Sequence, residues 1–280
     1  MSGILWLASY PKSGNTWIRI FLANLISNAK NADAIKNIKY FNFSDVHAHL
    51  FQNVASSPVE GMSVEDIAAL RPTMHRSLAQ SGQNTVFVKT HSCLTEFGGH
   101  DQITMDVTSG AIYILRNPLD VCLSMAPHFG ISVDEAIEWL NDYSFVAGDD
   151  GGEVPYLIGA WSRHVESWTQ AGSSSTLHIV RYEDMTYKPG PTFKGIAKFM
   201  GLKPPAEALK RAIKLSSFDN VRSQEDRSGF EERSVHADKF FRVGKANQWK
   251  SVLSKEQIDK VVEGNYDMMK KFNYLPPEYK

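Results

Sequence analysis

Four short apolar runs without polar alternation set the strongest limit on how this chain can fold. They are Ile4–Ala8 ("ILWLA"), Thr85–Thr90 ("TVFVKT"), Ala111–Arg116 ("AIYILR") and Thr176–Arg181 ("TLHIVR"). A strand that is apolar on both faces must be covered on both, which a parallel sheet between layers of helices achieves. Helical patterns fill the gaps. Asn15–Asn28 places Ile18, Phe21, Leu22, Leu25 and Ile26 at helical spacing, Pro118–Met125 makes a short helix, and Ser132–Tyr143 opens on a capping box of Ser132 and Glu135. Further helices are expected over Pro155–Ala171, with proline in the first turn, over "PTFKGIAKFMGL" and "PAEALKRAIKL", and over Lys255–Phe272. Alternation of this kind specifies a three-layer α/β fold, a central and mainly parallel sheet with helices on both faces.

The 280 residues show no internal repeat, low-complexity tract or linker, so one domain over residues 1–280 is expected. Three stretches are read as irregular: Asn31–Ser57, the loop "AGDDGGEV" with Asp149 and Asp150, and Ser223–Lys250. Loops of that length in a compact domain usually carry function. A formal net charge of -1 argues against a protein that coats nucleic acid, so any anion site must arise locally. The two cysteines, Cys93 and Cys122, are too few for a disulfide framework and suit a reducing cytoplasm. The start "MSGILWLASYPK" lacks a signal peptide's basic region, and no run approaches the roughly 18 apolar residues of a membrane span. A cytoplasmic protein that does not span a membrane is the expectation.

The first strand-to-helix corner reads "YPKSGNTW" (Tyr10–Trp17). Such a corner aims free backbone N–H groups and the positive end of a helix at one point, where anions bind. Gly14 permits close backbone approach, Ser13, Asn15 and Thr16 offer polar side chains, and Lys12 offers a mobile charge. A plain capped corner would need only the serine. The string is not the G-x-x-x-x-G-K-[ST] loop of nucleotide-hydrolysing enzymes, because Lys12 precedes the only glycine. From there a lysine can reach across a bound phosphate towards an atom leaving it.

"YPKSGNTW" closely resembles the 5′-phosphosulfate loop of the cytosolic-type sulfotransferases, which take a sulfuryl group from 3′-phosphoadenosine-5′-phosphosulfate (PAPS). Later stretches match the same family in order. "YILRNPLDVCLS" resembles its 3′-phosphate motif, implicating Arg116 and Ser124, and "TVFVKTHS" resembles its "KTH" strand end, implicating Lys89 and the general base His91. "VRYEDM" implicates Tyr182 at the adenine, which Trp17 would stack upon, and "SSFDNV" implicates Ser216, Ser217 and Phe218. "FFRVGKANQWK" resembles the closing loop "RKGxxGxWK", implicating Arg242 and Gly244. It departs at Val243, which removes a phosphate-binding charge, and at Asn247, where asparagine replaces a glycine it can mimic in left-handed backbone. The K-x-x-x-T-V-x-x-x-E dimer pattern of animal members is not present in "KSVLSKEQID", so no oligomeric state is assigned.

The resemblance implies a P-loop-NTPase-like fold and in-line transfer of a sulfuryl group from PAPS to a hydroxyl, less often an amine, leaving adenosine 3′,5′-bisphosphate (PAP). Lys12, Lys89, His91 and Ser124 are the implied catalytic residues. The donor site would comprise Lys12 to Trp17, Arg116, Ser124, Tyr182, Ser216, Phe218, Arg242 and Gly244. No metal is required by this chemistry, and the strand "AIYILR" ends in an arginine that would repel one. "HAH" at His47 and His49 lacks a further ligand at convincing spacing. A P-loop small-molecule kinase is the alternative. A silent nucleotide-binding scaffold and a transferase dependent on Cys93 are further rivals. The acceptor is expected to be small and partly apolar, an alcohol, phenol or natural product, enclosed by Asn31–Ser57, Phe97–Asp101, Phe129–Glu153 and Ser223–Phe241. "ASYPKSGNTW" looks more like bacterial members than animal ones.

Overall fold

The computed structural model of the chain describes residues 3–29, 35–41, 43–81, 85–148, 152–170 and 176–280. Asp149, Asp150 and the first residues of the expected Asn31–Ser57 loop lie outside them. Four strands, β1 (Ile4–Ser9), β2 (Val86–Thr90), β3 (Thr108–Leu115) and β4 (Leu177–Arg181), form one sheet in the order β2-β1-β3-β4. The strands stand where the apolar runs put them. β1 and β2 run parallel, with Ile4 opposite Val86 and Ala8 opposite Thr90. Every residue of β1 is buried, which explains its lack of alternation. Because β2 and β3 lie on opposite sides of β1, the carboxyl end of β1 is a switch point of the sheet, where α/β folds place their ligands.

The chain folds into two compact units, each assembled from separate stretches. The first comprises residues 1–10, 43–113 and 141–179, and the second residues 11–42, 114–140 and 180–280. In the first, Trp6 anchors the sheet, its indole N–H donating to Thr108 Oγ1 at 2.9 Å and its ring meeting His75 edge-on at 5.0 Å. In the second, α1 (Asn15–Ile26) contributes Ile20 to a cluster with Ile35, Ile38, Val221 and Phe241, against which Phe218, Phe230 and Phe240 pack.

Two expectations are corrected. The helix expected over Pro155–Ala171 begins only at Trp161 (α4, Trp161–Gln170), because Tyr156–Leu157 pairs antiparallel with Val146–Ala147. The N–H groups of Ile158 and Gly159 donate to Phe145 O instead, and Gly159 turns the chain at φ 69°. The Ser223–Lys250 stretch is not irregular throughout. Its start belongs to α5 (Phe218–Ser228), and Glu225 on that helix accepts the N–H groups of Phe240 (2.6 Å) and Phe241 (2.9 Å), tying the following loop down.

One long helix has no counterpart among the expected elements: α2 (Val64–Gln80), capped by the Ser63 hydroxyl, which accepts from Asp66 N at 3.1 Å. Its buried face reads Ile67, Arg71, Met74, His75 and Leu78, so two polar residues dilute the apolar period. Each has a polar partner in place, although His75 Nε2 is buried with none among the described residues. Arg71 donates to Asp45 O at 3.2 Å, and His75 Nδ1 lies 2.8 Å from Thr104 Oγ1.

Candidate active site

The corner after β1 has the geometry of an anion cradle. Gly14 is the N-cap of α1 at φ 107°, and no side chain caps the helix. The first N–H groups of a helix have no intrahelical acceptor. A Cβ on Gly14 would stand 2.9 Å from Tyr182 and 3.1 Å from Met185, so glycine is required by space as well as by φ. Lys12 also adopts left-handed backbone, at φ 63°, an uncommon state for a residue with a side chain. Its ammonium lies 4.3 Å from the centre of the Phe240 ring.

Arg116 follows β3 and turns back onto the cradle. Its Nη1 donates to Lys12 O at 2.9 Å, and its guanidinium lies 4.2 Å above the Tyr182 ring. Arg116 Nε and Ser13 Oγ are buried with no partner among the described residues. Unpartnered buried donors cost about 1–3 kcal/mol each, so two of them at one corner point to a ligand that satisfies both. A ligand with more than one anionic group, such as a nucleotide with two phosphates, fits.

Trp17 packs edge-on against Tyr182 at 5.7 Å and tilted against Phe193 at 5.9 Å. Asn15 Oδ1 is turned inward, accepting from Arg19 Nε at 3.1 Å. Thr16 Oγ1 accepts from Arg19 Nη2 at 3.2 Å and donates to Glu232 at 2.8 Å. Neither Arg19 nor Glu232 was among the expected site residues. An arginine on the face of α1 opposite no obvious acid gave no sequence signal, because its carboxylate comes from a loop 213 residues on.

The helix after Arg116 organises the closing loop. Asn117 caps α3 (Pro118–Phe129) by accepting from Leu119 N at 3.0 Å. In its first turn, the buried Asp120 accepts the backbone N–H of Asn247 at 2.6 Å and that of Trp249 at 3.1 Å. Asn247 takes φ 64°, as expected of an asparagine standing for glycine, and Gly244 takes φ 65°. A Cβ on Gly244 would fall 2.2 Å from the Phe218 ring, which brings those two residues together. Ser216 is buried, its hydroxyl donating to Ile213 O at 3.2 Å. Ser124 is half-buried in the second turn of α3, and Arg242 is exposed.

Lys12 to Trp17, Arg116, Ser124, Tyr182, Ser216, Phe218, Arg242 and Gly244 all belong to the second unit; Lys89 and His91 belong to the first. There, His91 Nδ1 lies 2.7 Å from Ser9 O. A carbonyl only accepts, so Nδ1 carries the proton and Nε2 holds the basic lone pair. The histidine is held from behind as well. His164 Nε2 donates to His91 O at 3.1 Å, while His164 Nδ1 accepts from Tyr113 OH at 2.9 Å. Burial pushes the His164 pKa down to about 3, so this relay of neutral groups keeps one tautomer. On either side of His91, Thr90 and Ser92 donate to Asp45 Oδ2, both at 2.9 Å. His164 had a faint sequence signal, lying with Trp161 and Trp168 on one face of "WSRHVESW"; Asp45 had none.

Lys89 continues the sheet's hydrogen bonding, its N–H donating to Phe43 O at 2.8 Å. Cys93 is buried and its thiol is raised by that burial, which disfavours a reactive thiolate. Of the aromatics in the expected acceptor segments, Phe51 is fully buried, whereas Phe43 and Tyr143 are exposed.

The sulfotransferase domain family matches residues 3–273. The chain is 25% identical to flavonol 3-sulfotransferase of Flaveria bidentis, over 92% of this chain and 78% of that one. It is 28% identical to cytosolic sulfotransferase 16 of Arabidopsis thaliana, over 93% and 75%. Among solved structures it resembles retinol dehydratase in complex with androsterone and the inactive cofactor PAP, at TM-score 0.66 and 19% identity, over 98% and 83% of the two chains. It also resembles a mouse sulfotransferase complexed with PAP, at TM-score 0.61 and 18% identity, over 98% and 86%. The chain therefore belongs to the sulfotransferase domain family and is a PAPS-dependent sulfotransferase, with the α/β fold its apolar runs implied and the P-loop-NTPase-like form its motif resemblance implied.

Proposed function

We propose that the protein transfers the sulfuryl group of PAPS in line to the hydroxyl of a small, partly apolar acceptor, with His91 as general base. One observation carries the donor half: Arg116 Nε and Ser13 Oγ lie buried and unpartnered beside a glycine cradle at the carboxyl end of β1. PAPS supplies an activated sulfuryl group on a phosphate leaving group. Lys12 and the N–H groups that open α1 stabilise the negative charge developing on the bridging oxygen as its bond to sulfur breaks. Arg116 grips the 3′-phosphate with Ser124, Arg242 and the Gly244 backbone, and Tyr182 and Trp17 bracket the base. His91 Nε2 takes the acceptor proton as the new oxygen–sulfur bond forms, and the sulfuryl oxygens are assigned to Lys89. The fixed Nδ1 proton supports that assignment, because it leaves Nε2 as the acceptor.

The match of one domain family to residues 3–273 supports treating the two interleaved units as one functional domain. The retinol dehydratase complexes, with androsterone and with retinol, favour apolar alcohols as a starting acceptor panel. A cytoplasmic site of action suits the two buried, unpaired cysteines, and among the described residues no helix is long and apolar enough to cross a membrane. The reading as a bacterial member rests on "ASYPKSGNTW" alone. Incubation of the panel with labelled PAPS in EDTA, followed by mass analysis, tests the whole reading. A sulfate adduct formed without added metal is the expected outcome. An adduct that forms only after Mg²⁺ is restored would overturn the metal-free reading.

A further inference from the structure

Thr16 offers one hydroxyl proton at the anion cradle, and the structure shows where it goes. Thr16 Oγ1 donates to Glu232 at 2.8 Å, and Arg19 Nη2 donates to the other carboxylate oxygen at 2.5 Å. Arg19 is 1% exposed, so its charge needs a counter-anion, and Glu232 at 29% exposure supplies one from the loop between α5 and Gly244. A hydroxyl has a single proton to give, and Thr16 already accepts from Arg19. The same hydroxyl cannot donate to a phosphate while Glu232 holds it. A carboxylate kept within hydrogen-bonding reach of a bound phosphate would add repulsion between like charges.

We infer that Glu232 is an internal anion that occupies the Thr16 side of the phosphate cradle and must be displaced for nucleotide to bind. The inference rests on the proposed donor site and adds to it an affinity-setting group of the chain itself. The displaced carboxylate returns when the product nucleotide leaves, so Glu232 weakens binding of PAPS and PAP alike and speeds product release. Phe230 and Phe240, packed on the core cluster, fix both ends of the short segment that must move.

The test is calorimetric titration of PAP into the parent chain, Glu232→Gln and Glu231→Gln, with a thermal melt of each to confirm folding. Glu231 is exposed and controls for the loss of one negative charge. The expected result is that Glu232→Gln binds PAP about tenfold more tightly than the parent, while Glu231→Gln binds within about twofold. Stopped-flow displacement of PAP should be slower for Glu232→Gln by a similar factor. Equal or weaker binding by a folded Glu232→Gln, with the parent still binding PAP, overturns the displacement and leaves the donor site standing. No binding by any of the three overturns the donor site and the displacement together.

Discussion

Asp120 joins α3 to the loop that carries Arg242 and Gly244, and replacing it with asparagine isolates that connection. The carboxylate is 1% exposed and accepts two backbone N–H groups, at 2.6 Å and 3.1 Å, from residues 127 and 129 positions away. Asparagine has nearly the same shape but only one acceptor oxygen. Its amide NH₂ must face one of the two N–H groups, donor against donor. One charge-assisted bond worth about 1.5–3 kcal/mol is lost, and the other falls to a neutral bond of about 1 kcal/mol. The expected cost is about 2–5 kcal/mol, a fall in melting temperature on the order of 3–8 °C for a chain of this size. Nucleotide affinity should fall in parallel, because the loop's backbone is no longer pinned at Asn247. Thermal melts and PAP titrations of Asp120→Asn beside the parent measure both. A melting temperature within 1 °C of the parent would mean that the two hydrogen bonds do not hold the loop.

His91→Ala should lower the transfer rate about 10²–10⁴-fold while PAP binds as in the parent; comparable turnover of the two proteins would remove His91 as base. Gly14→Ala places a methyl where 2.9 Å separates it from Tyr182 and forces φ 107° on a residue with a side chain, so donor binding should fall at least tenfold in direct titration. Stability should depend on pH through His164, whose pKa is held at about 3 against an ordinary 6.5. Below about pH 6.5 the unfolded chain takes up a proton that the folded chain refuses. Stability is therefore intact above that pH and is lost progressively towards pH 3. Two units below the ordinary value the loss is about 2.7 kcal/mol, and His164→Gln should flatten the decline in melting temperature over this window. An unchanged slope in that variant would show that His164 titrates freely in the folded state.

The sheet was legible in the sequence because β1 and most of β3 are buried on both faces and so apolar at nearly every position, while β2, alternately buried and half-buried, and β4, mostly half-exposed, still carry short runs of apolar residues that marked them. The cradle was legible for a related reason. Its function needs local geometry from consecutive residues, and a glycine between Ser13 and Asn15 at a strand-to-helix corner leaves few other uses for Lys12. Motif matches then named Arg116, Tyr182 and Gly244, which the structure brings against Lys12, Gly14 and Phe218.

What escaped was everything whose partner lies far along the chain. The helix Val64–Gln80 was hidden because Arg71 and His75 occupy core positions, tolerable only where Asp45, Pro155 O and Thr104 meet them. The tautomer of His91 is decided by a carbonyl 82 residues away, and its seating by His164 and by Asp45. The Thr16 proton is committed to a glutamate 216 residues away. Sequence alone fixed which residue types stand at the corner, because local backbone conformation and strand burial are properties of neighbours. Tertiary structure decided which donors remain open to a ligand, because a hydrogen bond depends on what the folded chain carries to within about 3 Å.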